Sequence, residues 1–101
     1  MTEIHVEATR YEASVLPYDD INHRRFTAYV ERTRGGWAVH DGHTGYDADG
    51  IEHYGETLRH PLADRAAALA LAARLAPDVT CNGFTAAEWQ RRTQPSPEEE
   101  S

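Results

Sequence analysis

Apolar and polar residues alternate along the first third of the chain. Ile4, Val6 and Ala8 take every second position, and Ala13 and Val15 resume the alternation. Successive strand residues point to opposite faces, so this period of two predicts one long or two short strands across residues 3–16. Pro17, Asp19, Asp20 and Asn22 then supply turn-forming residues. Phe26, Ala28 and Val30 alternate with Thr27, Tyr29 and Glu31 and predict a second strand over residues 24–33. Gly35-Gly36 reads as a hairpin turn, with Trp37 and Val39 opening the returning strand. Residues 41–50 hold three glycines and three aspartates and read as a loop, with a short strand following over residues 51–58.

After Pro61 the pattern changes. Residues 62–76 are mostly alanine and leucine, both strong helix formers, and Pro77 ends the run. Leu62, Leu69, Ala73 and Ala76 mark the expected buried stripe, widened by Leu71 and Leu75, and so much alanine lets a helix lie close on a sheet. Thr85 and Glu88 have the spacing of a capping box, in which hydroxyl and carboxylate each accept a free backbone N–H. Phe84 and Trp89 flank it as a hydrophobic staple, so a short helix is expected over residues 86–92, with Asn82-Gly83 as the turn before it.

These elements define an α+β fold: a three- or four-stranded antiparallel sheet, one main helix packed on a face, and a short C-terminal helix. Phe26, Ala28, Val30, Trp37, Val39, Leu69, Leu75 and Trp89 are the expected core. Residues 1–93 read as one compact domain, and residues 94–101, rich in proline and glutamate, as a disordered acidic tail.

Composition narrows the classes. With 101 residues and 40% hydrophobic content, the chain suits a single modest core. It has no apolar run of membrane-spanning length and its N-terminus lacks a secretory pattern, so a cytoplasmic protein is expected. The one cysteine, Cys81, has no internal disulfide partner and reads as a small buried hydrophobe. Ten arginines, fifteen alanines and no lysine point to GC-rich coding, hence a high-GC bacterium or a phage acting in such a host's cytoplasm. A net charge of −7 argues against nucleic acid, because phosphate binding scales with neutralising cations. Arg24, Arg25, Arg32 and Arg34, with Tyr29 and Trp37 in the same hairpin, are the arrangement that would serve RNA or single-stranded DNA. Charges guarding strand ends account for them better, because the net charge opposes nucleic-acid binding.

The densest group of metal-ligating side chains is His40, His43, Asp47, Asp49 and His53, whose imidazoles and carboxylates suit zinc or another divalent ion. Asp47-Ala-Asp49-Gly50 matches part of a calcium loop with Glu56 at the twelfth position. Gly45 would then stand at the first ligand position with no helix before it, which excludes an EF-hand. No Ser/His/Asp or Cys/His spacing suggests a nucleophile, so no catalytic residue and no cofactor are assigned.

The hairpin Phe26-Thr-Ala-Tyr-Val-Glu-Arg-Thr-Arg-Gly-Gly-Trp-Ala-Val39, followed by Gly55-Glu56-Thr57 and Asp64-Arg-Ala-Ala-Ala-Leu69, resembles the small HicB-type antitoxin domain over about half the chain. That resemblance implies a protein-binding regulator. The arginine-free acidic stretch of Asp41, Asp47, Asp49, Glu52 and Glu56 fits the same expectation, since acidic loops steer association with basic partners. The expected function is therefore a non-enzymatic acidic interaction module: an inhibitor, an antitoxin or a phage-borne modulator of a host protein. A sheet edge offers a route to a homodimer. The alternatives are a divalent-metal-binding protein or small metal-dependent enzyme using the loop 40–53, and a virion or other structural component.

Overall fold

Side-chain alternation places the first layer. In the computed structural model, which describes residues 2–93, strands β1 (Arg10–Ser14), β2 (Thr27–Thr33), β3 (Gly36–His40), β4 (Thr44–Tyr46) and β5 (Glu52–Tyr54) form one antiparallel sheet in sequence order. Tyr29 faces His40 and Val30 faces Val39 across the central hairpin, as Tyr11 faces Val30 on its other side. Ala28, Val30, Val39 and Tyr46 thus share the core face, while Glu12, Tyr29, Glu31 and His40 share the other.

The sheet has five strands, not three or four, because the aspartates of the expected loop make two tight turns with a strand between them. The Asp41 carboxylate accepts the N–H groups of His43 and Thr44, at 2.9 and 2.7 Å. That of Asp47 accepts those of Asp49 and Ile51, at 2.9 and 3.0 Å. Such side-chain bonds imitate backbone turns. Between them Thr44-Gly45-Tyr46 pairs with β3 and β5.

At the other edge the long alternation pairs only in part. Of residues 3–16, only Arg10–Ser14 form a strand. The Thr9 carbonyl accepts the Arg32 N–H at 2.9 Å, after which β2 reaches its turn and offers no further partner. Ile4 and Val6 are 82% and 92% exposed.

The main helix, α1 (Arg65–Leu75), begins later than composition suggests. Leu62 is extended instead, exchanging backbone hydrogen bonds with Trp37 at 2.7 and 2.9 Å. Asp64 caps the helix by accepting the Ala66 N–H at 3.1 Å. Ala68, Leu71, Ala72 and, just past the helix, Ala76 are its buried residues, with Leu69 and Leu75 packed at the margin and Ala73 exposed. Val39, Phe26, Ala28 and Val30 are buried as expected, whereas Trp37 and Trp89 are half-buried.

A second, smaller core joins the C-terminal elements. Phe26 lies in a 3-10 turn (His23–Phe26) ahead of β2 and packs with Leu16 and Ala86, flanked by half-buried Cys81 and Trp89. The ribbon of β6 (Thr80–Cys81) and β7 (Phe84–Thr85) turns through Asn82 and Gly83, both at positive φ (53° and 84°), as a tight two-residue turn requires. Helix α2 (Ala86–Thr93) follows, and its capping box is formed: Thr85 N–H donates to the Glu88 carboxylate at 3.0 Å, and Glu88 N–H to the Thr85 hydroxyl at 3.2 Å. The Phe84 and Trp89 rings meet edge to face at 6.5 Å, completing the staple. Thr85→Ala is expected to destabilise the protein by about 1 kcal/mol and Thr85→Ser to be nearly neutral. Thermal melts followed by circular dichroism check both. The expected tail, residues 94–101, lies outside the described residues. Every buried side-chain polar atom among them has a partner. No helix among them is long and apolar enough to cross a membrane.

Candidate metal centre

The β4–β5 hairpin and the segment after it bring two histidines and a glutamate together. His53 faces Gly45 across the β4–β5 pair. Gly55, at φ +78°, turns the chain and donates its N–H to the His43 carbonyl at 2.7 Å. Two successive tight turns follow, with Glu56 N–H on the His53 carbonyl at 3.1 Å and Arg59 N–H on that of Glu56 at 3.3 Å. Positions 53, 56 and 60 consequently fall on one side. Because Gly45 has no side chain, the backbone of Glu56 and Thr57 comes down onto the sheet above it.

One ligand atom from each of His53, Glu56 and His60 lies within 4.8 Å of the others. His53 Nδ1 is 3.8 Å from Glu56 Oε2, and His60 Nε2 is 2.5 Å from that same oxygen. The two imidazoles stack, with ring centres 3.8 Å apart. All three side chains are about one-third exposed: sheltered, yet open to an arriving ion.

Asp47 fixes the orientation of His53. Its Oδ1 is held by the turn N–H groups, and its Oδ2 meets His53 Nε2 at 2.9 Å. An N–H at Nε2 donating to Asp47 leaves Nδ1 unprotonated and aimed at Glu56. This carboxylate–histidine pairing is the outer partner that metal-ligating imidazoles normally have. The His53 hydrogen bond, followed by the turn N–H of Ile51, holds the Asp47 carboxyl below its ordinary value. The His60 hydrogen bond does the same for Glu56. Both carboxylates are therefore ionised at neutral pH.

Of the five residues that the sequence suggests as ligands, the structure joins only Asp47 and His53. His40 is buried with both ring nitrogens engaged: Nδ1 accepts the Gly42 N–H at 3.0 Å and Nε2 donates to Glu31 at 3.0 Å. His43 and Asp49 are exposed at turn positions. His60 lies outside the loop 40–53 in which ligand-type residues are dense. The spacing His53-x-x-Glu56-x-x-x-His60 is a signal only once the segment is seen to coil.

The acidic stretch is divided. Asp41, Asp47 and Glu56 make intramolecular bonds, while Glu52 and Asp49 are exposed. Asp41 also accepts the Tyr46 hydroxyl at 3.2 Å, and burial together with that carboxylate pushes the phenol well above its usual range. In the arginine-bearing hairpin, the pleat sends Tyr29 and Trp37 to opposite faces, so they do not form one stacking platform. Arg32 pairs with Glu7, and Arg24, Arg25 and Arg34 are exposed. No protein-family model, curated protein or solved structure matches the chain.

Proposed function

We propose that this protein binds a divalent transition metal, with zinc the best chemical fit, through His53, Glu56 and His60. The observation that carries this reading is the convergence of the three ligand atoms within 4.8 Å, with Asp47 holding the far nitrogen of His53. Two imidazoles and a carboxylate are a borderline-soft donor set of the kind zinc prefers. Ligands about 2.1 Å from a common tetrahedral centre stand roughly 3.4 Å apart, so shifts on the order of an ångström, with rotation of the stacked imidazoles to turn their nitrogens to one point, complete the site. The ion takes the place of the proton between His60 and Glu56. It leaves a fourth position for water or an added donor, and it ties β5 to the segment that leads into α1.

Titration calorimetry of untagged protein with zinc at pH 7 is expected to give one site of micromolar or tighter affinity. His53→Ala or His60→Ala should abolish the heat, and Asp47→Asn should weaken binding by about 10–100-fold as an outer-partner change. His43→Ala should leave affinity unchanged. Binding should weaken in acid, because protons compete with the metal for the ligand atoms. Heat that persists in the His53→Ala/His60→Ala double variant, or no binding by the wild-type chain, refutes the site.

A protein-interaction module is the second reading, and a different feature supports it: the unpaired stretch ahead of β1 with Ile4 and Val6 exposed. The two readings are compatible, since the metal site lies at the β5 edge and this stretch at the β1 edge.

A further inference from the structure

Residues 2–9 form an arm that continues β1 past the end of β2. Antiparallel pairing fixes which way its backbone groups point. Thr9 bonds inward to Arg32, and Arg10 stands opposite Glu31. Odd-numbered residues of the paired segment therefore turn their N–H and C=O toward β2 and even-numbered ones to the outer edge, a pattern that an extended arm would carry on. Side chains alternate in the same way. Glu3 and His5 stand 3.9 Å apart and Glu7 reaches Arg32, and in an arm extended in line with β1 Ile4, Val6 and Ala8 would take the opposite side. Extended in line with β1, the arm would offer an open hydrogen-bonding edge and one apolar side, and it has no proline and no lysine. Such edges pair unless something guards them.

We propose that the arm pairs antiparallel with the arm of a second copy, about a two-fold axis through Val6. Self-complementarity selects both the occupant and the register. An axis through His5 sets Glu3 against Glu7, and an axis through Glu7 sets that carboxylate against itself. An axis through Ala8 brings Ile4 against Glu12 and Val6 against Arg10, and one through Thr9 brings Val6 against Glu12 and Ala8 against Arg10. One through Ile4 pairs Thr2 with Val6 and leaves only a shorter ribbon. With Val6 on the axis, Val6 meets Val6, Ile4 meets Ala8, and His5 meets Glu7 of the partner, over residues 2–10 of each copy. Apolar positions then face apolar ones, and an imidazole N–H faces a carboxylate at both symmetry-related sites. The outward backbone groups of Val6 pair with those of the other copy's Val6, and those of Ile4 with those of Ala8. The ribbon is short, so the dimer is a weak one that forms at micromolar concentrations.

The test is sedimentation equilibrium of the full chain in the presence of a chelator, which separates arm pairing from any metal-bridged association and makes the outcome independent of the zinc reading. A monomer–dimer equilibrium is expected. Val6→Asp should weaken it by at least about tenfold, because it sets two carboxylates face to face. His5→Glu should weaken it and His5→Arg should preserve it. Val6 and His5 are exposed in the monomer, so their variants should keep the wild-type circular dichroism spectrum and melting temperature. Register is read by cross-linking in a Cys81→Ala background. Val6→Cys should form a disulfide-linked dimer on oxidation, since directly opposed residues stand about 5.5 Å apart, while His5→Cys should not. A chain that stays monomeric to millimolar concentration overturns the proposal. So does a dimer indifferent to Val6→Asp.

Discussion

Truncation of Phe26 to alanine is expected to destabilise the protein by about 3–5 kcal/mol, a large part of the roughly 5–15 kcal/mol that holds a domain of this size folded. Melting should fall by at least about 12 °C, given about 4 °C per kcal/mol in a small domain. Phe26 is 1% exposed and is among the largest fully buried side chains. Its position explains the size of the effect. The ring packs with Leu16, just past β1, with Ala86 at the start of α2, and with Cys81 and Trp89, so one side chain joins three parts of the chain that the sheet alone does not hold together. That small core has no second aromatic of comparable burial to close over the gap. Thermal and urea unfolding of Phe26→Ala measure the loss. A shift of only a few degrees would mean that the C-terminal ribbon and helix are not anchored there.

Phe26 also shows how far the sequence could be read. Its alternation with Ala28 and Val30 predicts burial, and burial is observed. The same alternation implies a shared sheet face, yet Phe26 stands in a 3-10 turn against a different core. Periodicity reports that a side chain is shielded, not by what. The central hairpin, the Asn82-Gly83 turn and the Thr85–Glu88 box were legible because each rests on residues close in sequence, whose conformation or bonding is decided locally. Helix α1 was legible in kind but not in phase. Alanine lies on every side of it, so no polar stripe marks the solvent face. Of the expected stripe Leu71 and Ala76 are buried, as is Leu62 outside the helix, but Ala68 and Ala72 take the central places, Leu69 and Leu75 lie at the margin and Ala73 is exposed. Its start was hidden as well, because the pairing of Leu62 with Trp37 is a long-range choice that overrides helix propensity.

The candidate site followed the same rule. Asp47 and His53 were both visible as ligand types, and both belong to it. Glu56 entered only as part of an acidic run. His60 was out of view because its approach to His53 depends on Gly55 turning the chain and on Gly45 leaving room for the return. Three-dimensional proximity of this kind has no one-dimensional trace beyond the glycines themselves.

Gly45→Ala is accordingly expected to damage fold and site together. A methyl group at residue 45 would point into the backbone of the returning segment, 2.9 Å from the Glu56 carbonyl carbon and 3.2 Å from Thr57 Cα. Both are main-chain atoms, so no rotamer change relieves the clash and the segment must lift from the sheet. The expected loss is about 3 kcal/mol, the upper part of the range for overpacking a tight contact. The same displacement carries Glu56 and His60 away from His53, which stays behind on β5. Zinc affinity should therefore fall by about 10–100-fold, comparable to losing an outer partner of a metal ligand. Glu56→Gln separates the two effects. It removes the charged ligand without a steric change and should lower affinity while leaving the melting temperature of the metal-free protein near wild type. A Gly45→Ala variant that melts lower yet binds zinc as wild type would show that the three ligands do not depend on this close approach. One that matches wild type in both would refute the packing of residues 56 and 57 over β4.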